Sequence, residues 1–289
     1  MNPSLPLHES NVAMKKIGIV VNEKKPGAAE LLAKLRSWLQ KRELHVQDSL
    51  GESIEEAIRD AFLVICLGGD GTLLSVAGHM KEKSVPILGV NLGALGFLTE
   101  VKQDEIFEEL NSYFLNHAEI EERLMLACSA RSERHKKERR LLALNDMVIS
   151  REGLSRMLQV EVKVSGEKLT SFAGDGVIIA TPTGSTAYSL SAGGAIVHPK
   201  LAALIITPIC PHSSSLRSMV VAADEKISVK IQKTRKETKA MLTADGQENL
   251  EIDDSFSIEM TRSNTPLRLI KSSKRSYFAT LRENFKFPS

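Results

Sequence analysis

The feature that most constrains the fold is an unbroken apolar run from Phe62 to Leu67, which stops at Gly68 and Gly69. An apolar run without alternation predicts a central strand of a parallel sheet, covered on both faces. Around it the periodicity predicts further strands at 17–21, 44–47 and 85–90, and helices at 28–41, 53–60, 72–81 and 103–114. This alternation of strands and helices predicts an α/β domain with a Rossmann-like parallel sheet.

The sequence changes to a β pattern beyond residue 121. β-branched or alternating residues separated by turn signals predict strands at 123–131, 139–150, 158–164, 177–180, 203–206, 219–221, 227–231 and 240–243. The charged stretch 131–140 mixes both signs, which is typical of a solvated hairpin turn. We therefore expect a second domain that is mostly β and sandwich-like.

Composition excludes several classes of protein. With 42% hydrophobic and 26% charged residues, the chain is typical of a globular protein and not of a disordered one. A net charge of +2 is too balanced to indicate a nucleic-acid-binding surface. No stretch approaches the roughly 18 apolar residues that span a bilayer, and residues 1–16 lack the apolar core of a secretory signal. We expect a cytoplasmic protein with no nucleic-acid or membrane partner.

The three cysteines, Cys66, Cys128 and Cys210, lie far apart in the sequence. Their spacing fits neither a zinc site nor a disulfide framework. We expect all three to be buried as small hydrophobic residues.

The first candidate site is Gly68-Gly69-Asp70-Gly71-Thr72, where the central strand ends and a helix begins. Ligands bind at such points in open α/β sheets, and the N–H groups at a helix start attract phosphate. A carboxylate beside phosphate is repelled unless it holds a magnesium ion or accepts a proton from an attacking hydroxyl. Asp70 therefore indicates phosphoryl transfer, with an N-cap or turn role as the alternative.

The chain contains neither the GxxxxGKS or GxxxxGKT phosphate loop nor the GxGxxG dinucleotide fingerprint. Its pentapeptide instead resembles the nucleotide-phosphate motif shared by NAD kinases, diacylglycerol and sphingosine kinases and, more loosely, phosphofructokinases. That motif alone leaves the acceptor substrate open.

The segment 174–194 narrows the choice of acceptor. Between Thr181 and Thr186 it offers four hydroxyl side chains without bulk to a polar ligand, and Tyr188 offers a flat face for stacking on a base. This segment closely resembles the signature of NAD kinases, and segments 143–149, 206–213 and 245–247 agree with the same family.

The resemblance implies an enzyme that phosphorylates the 2'-hydroxyl of the adenosine ribose of NAD, with ATP or another donor, to give NADP. Asp70 is then the catalytic residue that accepts the hydroxyl proton, and Mg²⁺ is held mainly by the donor phosphates and not by a protein metal site. Asn145 and Asp146 are expected to bond ribose hydroxyls. The other implied nucleotide contacts are Gly69, Gly71, Arg156, Ala173, Asp175, Thr186, Ala187, Tyr188, Ser189, Leu190, Ser191 and Gln247. His212 and Arg217 receive no catalytic role.

The resemblance also implies a domain arrangement and an assembly. Segment 275–285 resembles the family's closing segment, in which the chain returns to the first domain. We expect a flexible tail over 1–14, an α/β phosphate-donor-binding domain over 15–121 and 268–289, and a β-rich NAD-binding domain over 122–267. The family implies self-association, with residues around Asp175 and Ala187 reaching the ligand of a neighbouring subunit.

Three positions depart from the family pattern: Asp146 stands where Glu is common, Gly78 where Arg is frequent and Ala173 where a longer polar residue is usual. Two alternative functions stay open. A lipid or other small-alcohol kinase could use the same glycine loop, because the phosphate half of the site does not choose the acceptor. A NAD-binding sensor would keep the pocket without transfer, although Asp70 argues against it.

Overall fold

The structure of the protein is a computed structural model that describes residues 16–50, 52–80, 84–132, 134–153, 157–232 and 239–286. The chain divides into two compact units, Met1–Glu122 with Leu267–Ser289, and Arg123–Pro266. These boundaries differ by one residue from those that the sequence predicts, and the predicted tail over 1–14 lies outside the described residues. The ligand-binding roles given to the two domains stay predictions.

The strands are, in chain order, β1 (Lys16–Val21), β2 (His45–Asp48), β3 (Ala61–Gly68), β4 (Pro86–Asn91), β5 (Val101–Lys102), β6 (Ile120–Arg123), β7 (Leu126–Ser132), β8 (Lys137–Ala143), β9 (Asp146–Arg151), β10 (Leu158–Val164), β11 (Glu167–Gly174), β12 (Gly176–Ala180), β13 (Ala203–Ile209), β14 (Met219–Ala222), β15 (Ile227–Ile231), β16 (Ala240–Ala244), β17 (Glu248–Ile252), β18 (Phe256–Arg262) and β19 (Leu267–Ile270). The helices are α1 (Ala28–Gln40), α2 (Ile54–Ile58), α3 (Asp70–His79), α4 (Ile106–Phe114), α5 (Tyr188–Ser191) and α6 (Tyr277–Phe285), and a 3₁₀ turn at Thr183–Thr186 precedes α5.

The first unit is built on a sheet with the strand order β2-β1-β3-β4-β19-β6, in which β5 lies beside β4. Strands β2, β1, β3, β4 and β19 run parallel to one another. Strands β3 and β4 are almost wholly buried, as their unbroken apolar sequences predict. Helix α1 shares a core with this sheet through leucines spaced three and four residues apart, Leu31, Leu32, Leu35 and Leu39. The predicted Rossmann-like parallel sheet is confirmed.

The second unit contains two antiparallel sheets, with the strand orders β11-β10-β15-β18-β7-β8 and β14-β13-β12-β9-β16-β17. Alternate side chains of both sheets enter one core, among them Val160 and Val162 from the first sheet and Ile149 and Ile179 from the second. Two sheets that share a core in this way form a sandwich. The prediction of a mostly β, sandwich-like domain is confirmed.

The second of these sheets is covered on its outer face as well. Val148, Ile178 and Ile205 point away from the sandwich core and pack with Val197, from the segment that follows α5. This cover explains why β12 and β13 are apolar without alternation. It also holds the segment predicted to bind the nucleotide against the sheet.

One predicted strand is wrong. The sequence predicts a continuous strand at 139–150, whereas the structure has β8 and β9, which belong to different sheets and are separated by Leu144 and Asn145. The cause lies far along the chain, because Asp245 accepts hydrogen bonds from the N–H groups of Leu144 and Asn145. The local alternation of side chains carries no sign of that contact.

The closing segment is held on the first unit by buried charged pairs. Strand β19 lies between β4 and β6. Arg275 donates from Nη1 and Nη2 to the two carboxylate oxygens of Glu105, at 2.6 and 2.9 Å. Lys271 Nζ donates to Glu100 Oε1 at 2.5 Å. The predicted return of the chain to the first domain is confirmed.

Replacement of Arg275 by alanine is expected to lower the free energy of unfolding by about 3 kcal/mol, because mostly buried Glu105 loses its cation. Its bonds to Arg275 lower the pKa of Glu105 to about 2, against an ordinary value of 4.5. A depressed carboxyl pKa stabilises the fold fully above the ordinary value, and this stabilisation is lost as the pH falls through about 2. Urea titrations of both proteins at neutral pH and at about pH 2 measure the difference, which should shrink in acid.

Arg282→Ala is the matched control, since Arg282 is exposed on helix α6 of the same segment. We expect it to change the free energy of unfolding by less than about 0.5 kcal/mol. Equal stability of the Arg275 and Arg282 variants would contradict the role given to the Arg275–Glu105 pair.

Candidate active site

The segment 68–72 joins β3 directly to α3. Gly69 is extended, with φ −146° and ψ −172°, and its carbonyl accepts the N–H of Thr72 at 2.9 Å. The helix therefore begins at Asp70, two residues before its predicted start. The N–H groups of a first turn have no partner within the helix, so those of Asp70 and Gly71 are directed out at the carboxyl edge of the sheet. A Cβ on Gly69 or Gly71 would meet no atom of the described residues within 4 Å, so space lies open beside this backbone.

The Asp70 carboxylate is bonded to three consecutive residues of the loop after β4. Oδ2 accepts the N–H of Phe97 at 2.8 Å. Oδ1 accepts the N–H of Leu98 at 3.1 Å, and the N–H and hydroxyl of Thr99 at 3.0 and 2.9 Å. Each carboxylate oxygen has two lone pairs, so Oδ1 is fully used and Oδ2 has one acceptor position left.

The loop Asn91–Thr99 completes this part of the site. Asn91 Nδ2 donates to Thr99 Oγ1 at 2.8 Å, and both side chains are buried. A Cβ on Gly96 would lie 2.2 Å from Asp70 Oδ1, so glycine is required where the loop passes the carboxylate. These residues are absent from the predicted set. Glycines after an apolar strand are the signal that points to them, but the contacts are made by backbone N–H groups, which almost any residue supplies.

In the second unit, three neighbouring strands bring polar residues to one edge of a sheet. Strand β9 starts at Asp146, and its neighbours β12 and β16 run antiparallel to it and end beside that start. The residues just beyond those ends, Thr181 and Asp245, therefore meet Asn145 and Asp146. Thr181 N–H donates to the Asn145 carbonyl at 2.8 Å, and Asp245 N–H donates to the Asp146 carbonyl at 3.0 Å.

The side chain of Asp245 also accepts backbone N–H groups from three consecutive residues. Oδ2 accepts from Leu144 at 2.7 Å, and Oδ1 accepts from Asn145 and Asp146 at 2.7 and 2.9 Å. Its own backbone is left-handed, with φ 50°. The carboxylate thus holds the irregular backbone through which the chain enters β9.

The two neighbouring carboxyl groups differ in their surroundings. Burial, together with the charge of Asp245, raises the pKa of Asp146 to about 7. Burial also raises the pKa of Asp245, while its three backbone N–H bonds act in the opposite direction. Because those N–H groups favour an ionised Asp245, the proton that the pair retains resides on Asp146.

The segment after Thr181 forms a tight turn against Asn145. A Cβ on Gly184 would lie 2.1 Å from the Asn145 carbonyl oxygen, so the turn requires glycine there. Ser189 is buried and its Oγ lies 2.9 Å from Thr207 Oγ1, which directs this predicted contact residue into the protein. Tyr188 is 47% exposed and free to offer its ring to a ligand. The remaining predicted contacts of the segment are at least partly exposed: Thr186, Ala187, Leu190 and Ser191.

Ala173 and Asp175 lie at the opposite end of β12 from Thr181. The five residues of β12 separate the two ends, which is about 17 Å at roughly 3.3 Å per residue. Asp175 Oδ1 lies 2.7 Å from Arg151 Nε. The structure therefore does not bring Asp175 together with Asn145 in one chain.

Gln247 closes the connection from β16 to β17. It is exposed, and its N–H donates to the Ala244 carbonyl at 2.8 Å. It follows Asp245 by two residues and so lies at the same edge as Asn145. Arg156, the remaining predicted contact, lies outside the described residues.

The described residues offer no clustered metal ligands, and two of the three cysteines are buried. Within the described ranges, no three His, Cys, Asp or Glu side chains are grouped to hold a metal ion. Cys66 and Cys128 are buried as predicted, and burial raises the pKa of Cys128 to about 12. The prediction is wrong for Cys210, which is exposed because it lies in the turn after β13 with φ 43°. In the part of the chain that the structure describes, no helix has the length and apolar character of a membrane span.

Two family models match the chain: the ATP-NAD kinase N-terminal domain over residues 46–118 and the ATP-NAD kinase C-terminal domain over residues 144–272. The NAD kinase of Geotalea daltonii is 40% identical over 284 residues, which cover 95% of this chain and 99% of that relative. The NAD kinase of Moorella thermoacetica is 39% identical over 283 residues, with 94% and 90% covered.

Two solved structures are similar along nearly the whole chain. Yeast NADH kinase complexed with NADH superposes with a TM-score of 0.89 at 25% identity, covering 96% of this chain and 88% of that chain. An NAD kinase from Archaeoglobus fulgidus in complex with ATP gives a TM-score of 0.75 at 26% identity, with 94% and 97% covered. Sequence and fold agree in both units, and the chain therefore belongs to the NAD kinase family of phosphotransferases.

Proposed function

We propose that this chain transfers the γ-phosphoryl group of ATP to the 2'-hydroxyl of the adenosine ribose of NAD, giving NADP and ADP. Asp70 supports this most directly: its carboxylate is fixed at the start of a helix whose N–H groups attract phosphate, and Oδ2 retains one acceptor position. The yeast relative was solved with NADH and the Archaeoglobus relative with ATP, which are ligands of the two classes that the reaction needs.

The donor phosphates are proposed to lie against the backbone of Gly69, Asp70 and Gly71. The helix start supplies N–H donors and a partial positive charge, and both glycines leave space beside the backbone. Magnesium, held mainly by the phosphate oxygens of the donor, would neutralise charge on the transferred group.

The NAD ribose is proposed to bond Asn145 and Asp146. The Asn145 amide both donates and accepts, and a protonated Asp146 donates one hydrogen bond and accepts others, which suits a pair of ribose hydroxyls. Gln247 and the residues 186–188 and 190–191 are proposed to contact the rest of the nucleotide, Tyr188 by stacking. Ser189 is proposed to contribute through its backbone, since its hydroxyl is bonded to Thr207.

Ala173 and Asp175 are proposed to contact a different part of the dinucleotide from Asn145, and Arg156, which lies outside the described residues, is proposed as a further contact. The length of β12 separates Asp175 from Asn145, and self-association would let Asp175 reach the ligand of a neighbouring subunit. Self-association and a cytoplasmic location, both expected from the sequence, stay proposals.

In the reaction, the ribose 2'-oxygen forms a bond to the γ-phosphorus while the bond from that phosphorus to the β–γ bridging oxygen breaks. The hydroxyl proton passes to Oδ2 of Asp70, and ADP leaves with the bridging oxygen. The N–H groups of residues 97–99 hold the carboxylate in place, so it needs little reorganisation during the step. Positioning and electrostatics supply most of the acceleration.

Asp70→Asn is expected to lower kcat by about 10²- to 10⁴-fold, because an amide cannot accept the hydroxyl proton, and to change NAD affinity by no more than a few-fold. The purified protein is incubated with NAD, ATP and magnesium, and NADP is detected with a dehydrogenase that depends on it. Unchanged turnover would refute the role given to Asp70.

Thr99→Val distinguishes two roles of Asp70: accepting the hydroxyl proton and holding the loop after β4. It removes the hydrogen bond from Thr99 Oγ1 to Oδ1 and the one that Oγ1 accepts from Asn91 Nδ2, while the three backbone N–H groups still hold the carboxylate. We expect kcat to fall less than about tenfold, the equivalent of one ordinary hydrogen bond. An equal loss of kcat in Asp70→Asn and Thr99→Val would mean that Asp70 acts only by holding the loop. Wild-type protein that binds NAD and forms no NADP would instead indicate a NAD-binding sensor.

Asp146→Asn is expected to make stability less dependent on pH. The pKa of Asp146 is raised from 3.8 to about 7 by burial and by Asp245, so the folded protein retains a proton that the unfolded chain releases. The resulting stabilisation is full below 3.8 and is lost as the pH rises through about 7. Thermal unfolding between about pH 5 and pH 8 should show a falling midpoint for the wild type and a nearly flat one for the variant.

Asp224→Asn is the matched control for this change, since Asp224 is an exposed aspartate in a turn of the same unit. Its midpoints should follow those of the wild type across the range. A wild-type midpoint that does not fall between those pH values, or an Asp146→Asn curve parallel to it, would contradict a buried proton on Asp146.

A further inference from the structure

The chain passes from one sheet of the sandwich to the other between β8 and β9. Leu144 and Asn145 belong to neither strand, so their N–H groups need partners outside a β ladder. The Asp245 carboxylate accepts both of them and the N–H of Asp146, all within 2.9 Å. One side chain, about a hundred residues along the chain, thus determines the backbone of the predicted ribose contacts.

The residue type at position 245 is narrowly constrained. A φ of 50° is tolerated by glycine, asparagine and aspartate better than by other residues. Glycine has no side chain to accept the three N–H groups. Asparagine has one acceptor oxygen and would turn its NH₂ group toward a backbone N–H. Aspartate alone combines this backbone with acceptors on both side-chain oxygens.

The Asn145 peptide is fixed from its other side as well. Its carbonyl accepts the N–H of Thr181 at 2.8 Å, and Gly184 passes so close that any Cβ would collide with it. The backbone of a residue sets the direction in which its side chain leaves the chain, so a fixed backbone also restricts where Asn145 and Asp146 point. The carboxylate and the tight turn together hold both residues before any ligand arrives.

We infer that Asp245 is a positioning residue for NAD, which orients Asn145 and Asp146 through their backbone without touching the ligand. This inference rests on the proposed function, in which these two residues bond the ribose. Loss of the contact would let the two side chains move. The affinity for NAD should therefore fall, and the affinity for ATP should stay unchanged. The expected scale is that of one or two hydrogen bonds to the ribose, roughly 10- to 100-fold in NAD affinity.

The test compares Asp245→Asn with Asn249→Ala. Asn249 belongs to the same hairpin, where it accepts a hydrogen bond from Thr243 at 2.9 Å, and it is exposed. For Asp245→Asn we expect the KM for NAD to rise by about 10- to 100-fold, while the KM for ATP stays within about twofold and kcat within about fivefold. Calorimetry with NAD in the absence of ATP should show the same loss of affinity. Asn249→Ala should keep wild-type constants.

Hydrogen exchange of the wild-type amides 144–146 tests the contact without any variant. We expect these amides to exchange as slowly as those in the middle of β9, and to exchange faster in Asp245→Asn. Rapid exchange in the wild type, an unchanged KM for NAD in the variant, or an equal rise for both substrates would overturn the inference. Absence of NADP formation by the wild type would count against the proposed function instead, and NAD affinity would still decide the role of Asp245.

Discussion

One hydrogen-bonding arrangement recurs in both units, and the irregular backbone of each candidate site depends on it: a single carboxylate accepts the backbone N–H groups of three consecutive residues. Asp70 does so for residues 97–99 and Asp245 for residues 144–146. Both triplets include loop residues between strands, where N–H groups lie outside a ladder. Leaving a buried one unsatisfied is unfavourable by about 1–3 kcal/mol. An ionised carboxyl group suits this task because it only accepts and has two oxygens.

Strand order determines which loops such a carboxylate reaches. In the first unit, β3 and β4 are parallel neighbours, so the segments that follow them, 69–72 and 91–99, emerge at the same edge. In the second unit the strands are antiparallel, and the start of β9 meets the ends of β12 and β16. Both the parallel and the antiparallel sheet thus place residues that are distant in sequence within hydrogen-bond distance of one another at a strand end.

The sequence correctly predicts the elements that local residue patterns determine. It fails where a contact between residues distant in sequence determines the backbone. The unbroken apolar run 62–67 correctly predicts a buried parallel strand, and the glycines after it correctly mark the point where that strand gives way to a helix. The strand predicted over 139–150 is broken because Asp245 binds the N–H groups of residues 144 and 145, which alternation cannot reveal. The loop 91–99 was missed for a similar reason, since its bonds to Asp70 come from backbone N–H groups common to nearly all residues. Cys210 is exposed because a turn, and not its residue type, sets its position.

In the proposed reaction Asp70 accepts a proton and Asp146 donates a hydrogen bond, and the surroundings of each carboxyl group suit its role. Asp70 is partly exposed and surrounded by donors, and the three bonds to Oδ1 leave Oδ2 as the oxygen available to accept a proton. Asp146 is buried beside another carboxylate, so its pKa lies near 7 and it retains a proton that it can donate in a hydrogen bond. Under the proposed function, the hydrogen-bonding surroundings would thus give two aspartates the different roles of acceptor and donor without any change of residue type. Asp245 acts on Asp146 in two ways. It fixes the backbone of Asp146, and its charge favours the protonated form of the Asp146 side chain.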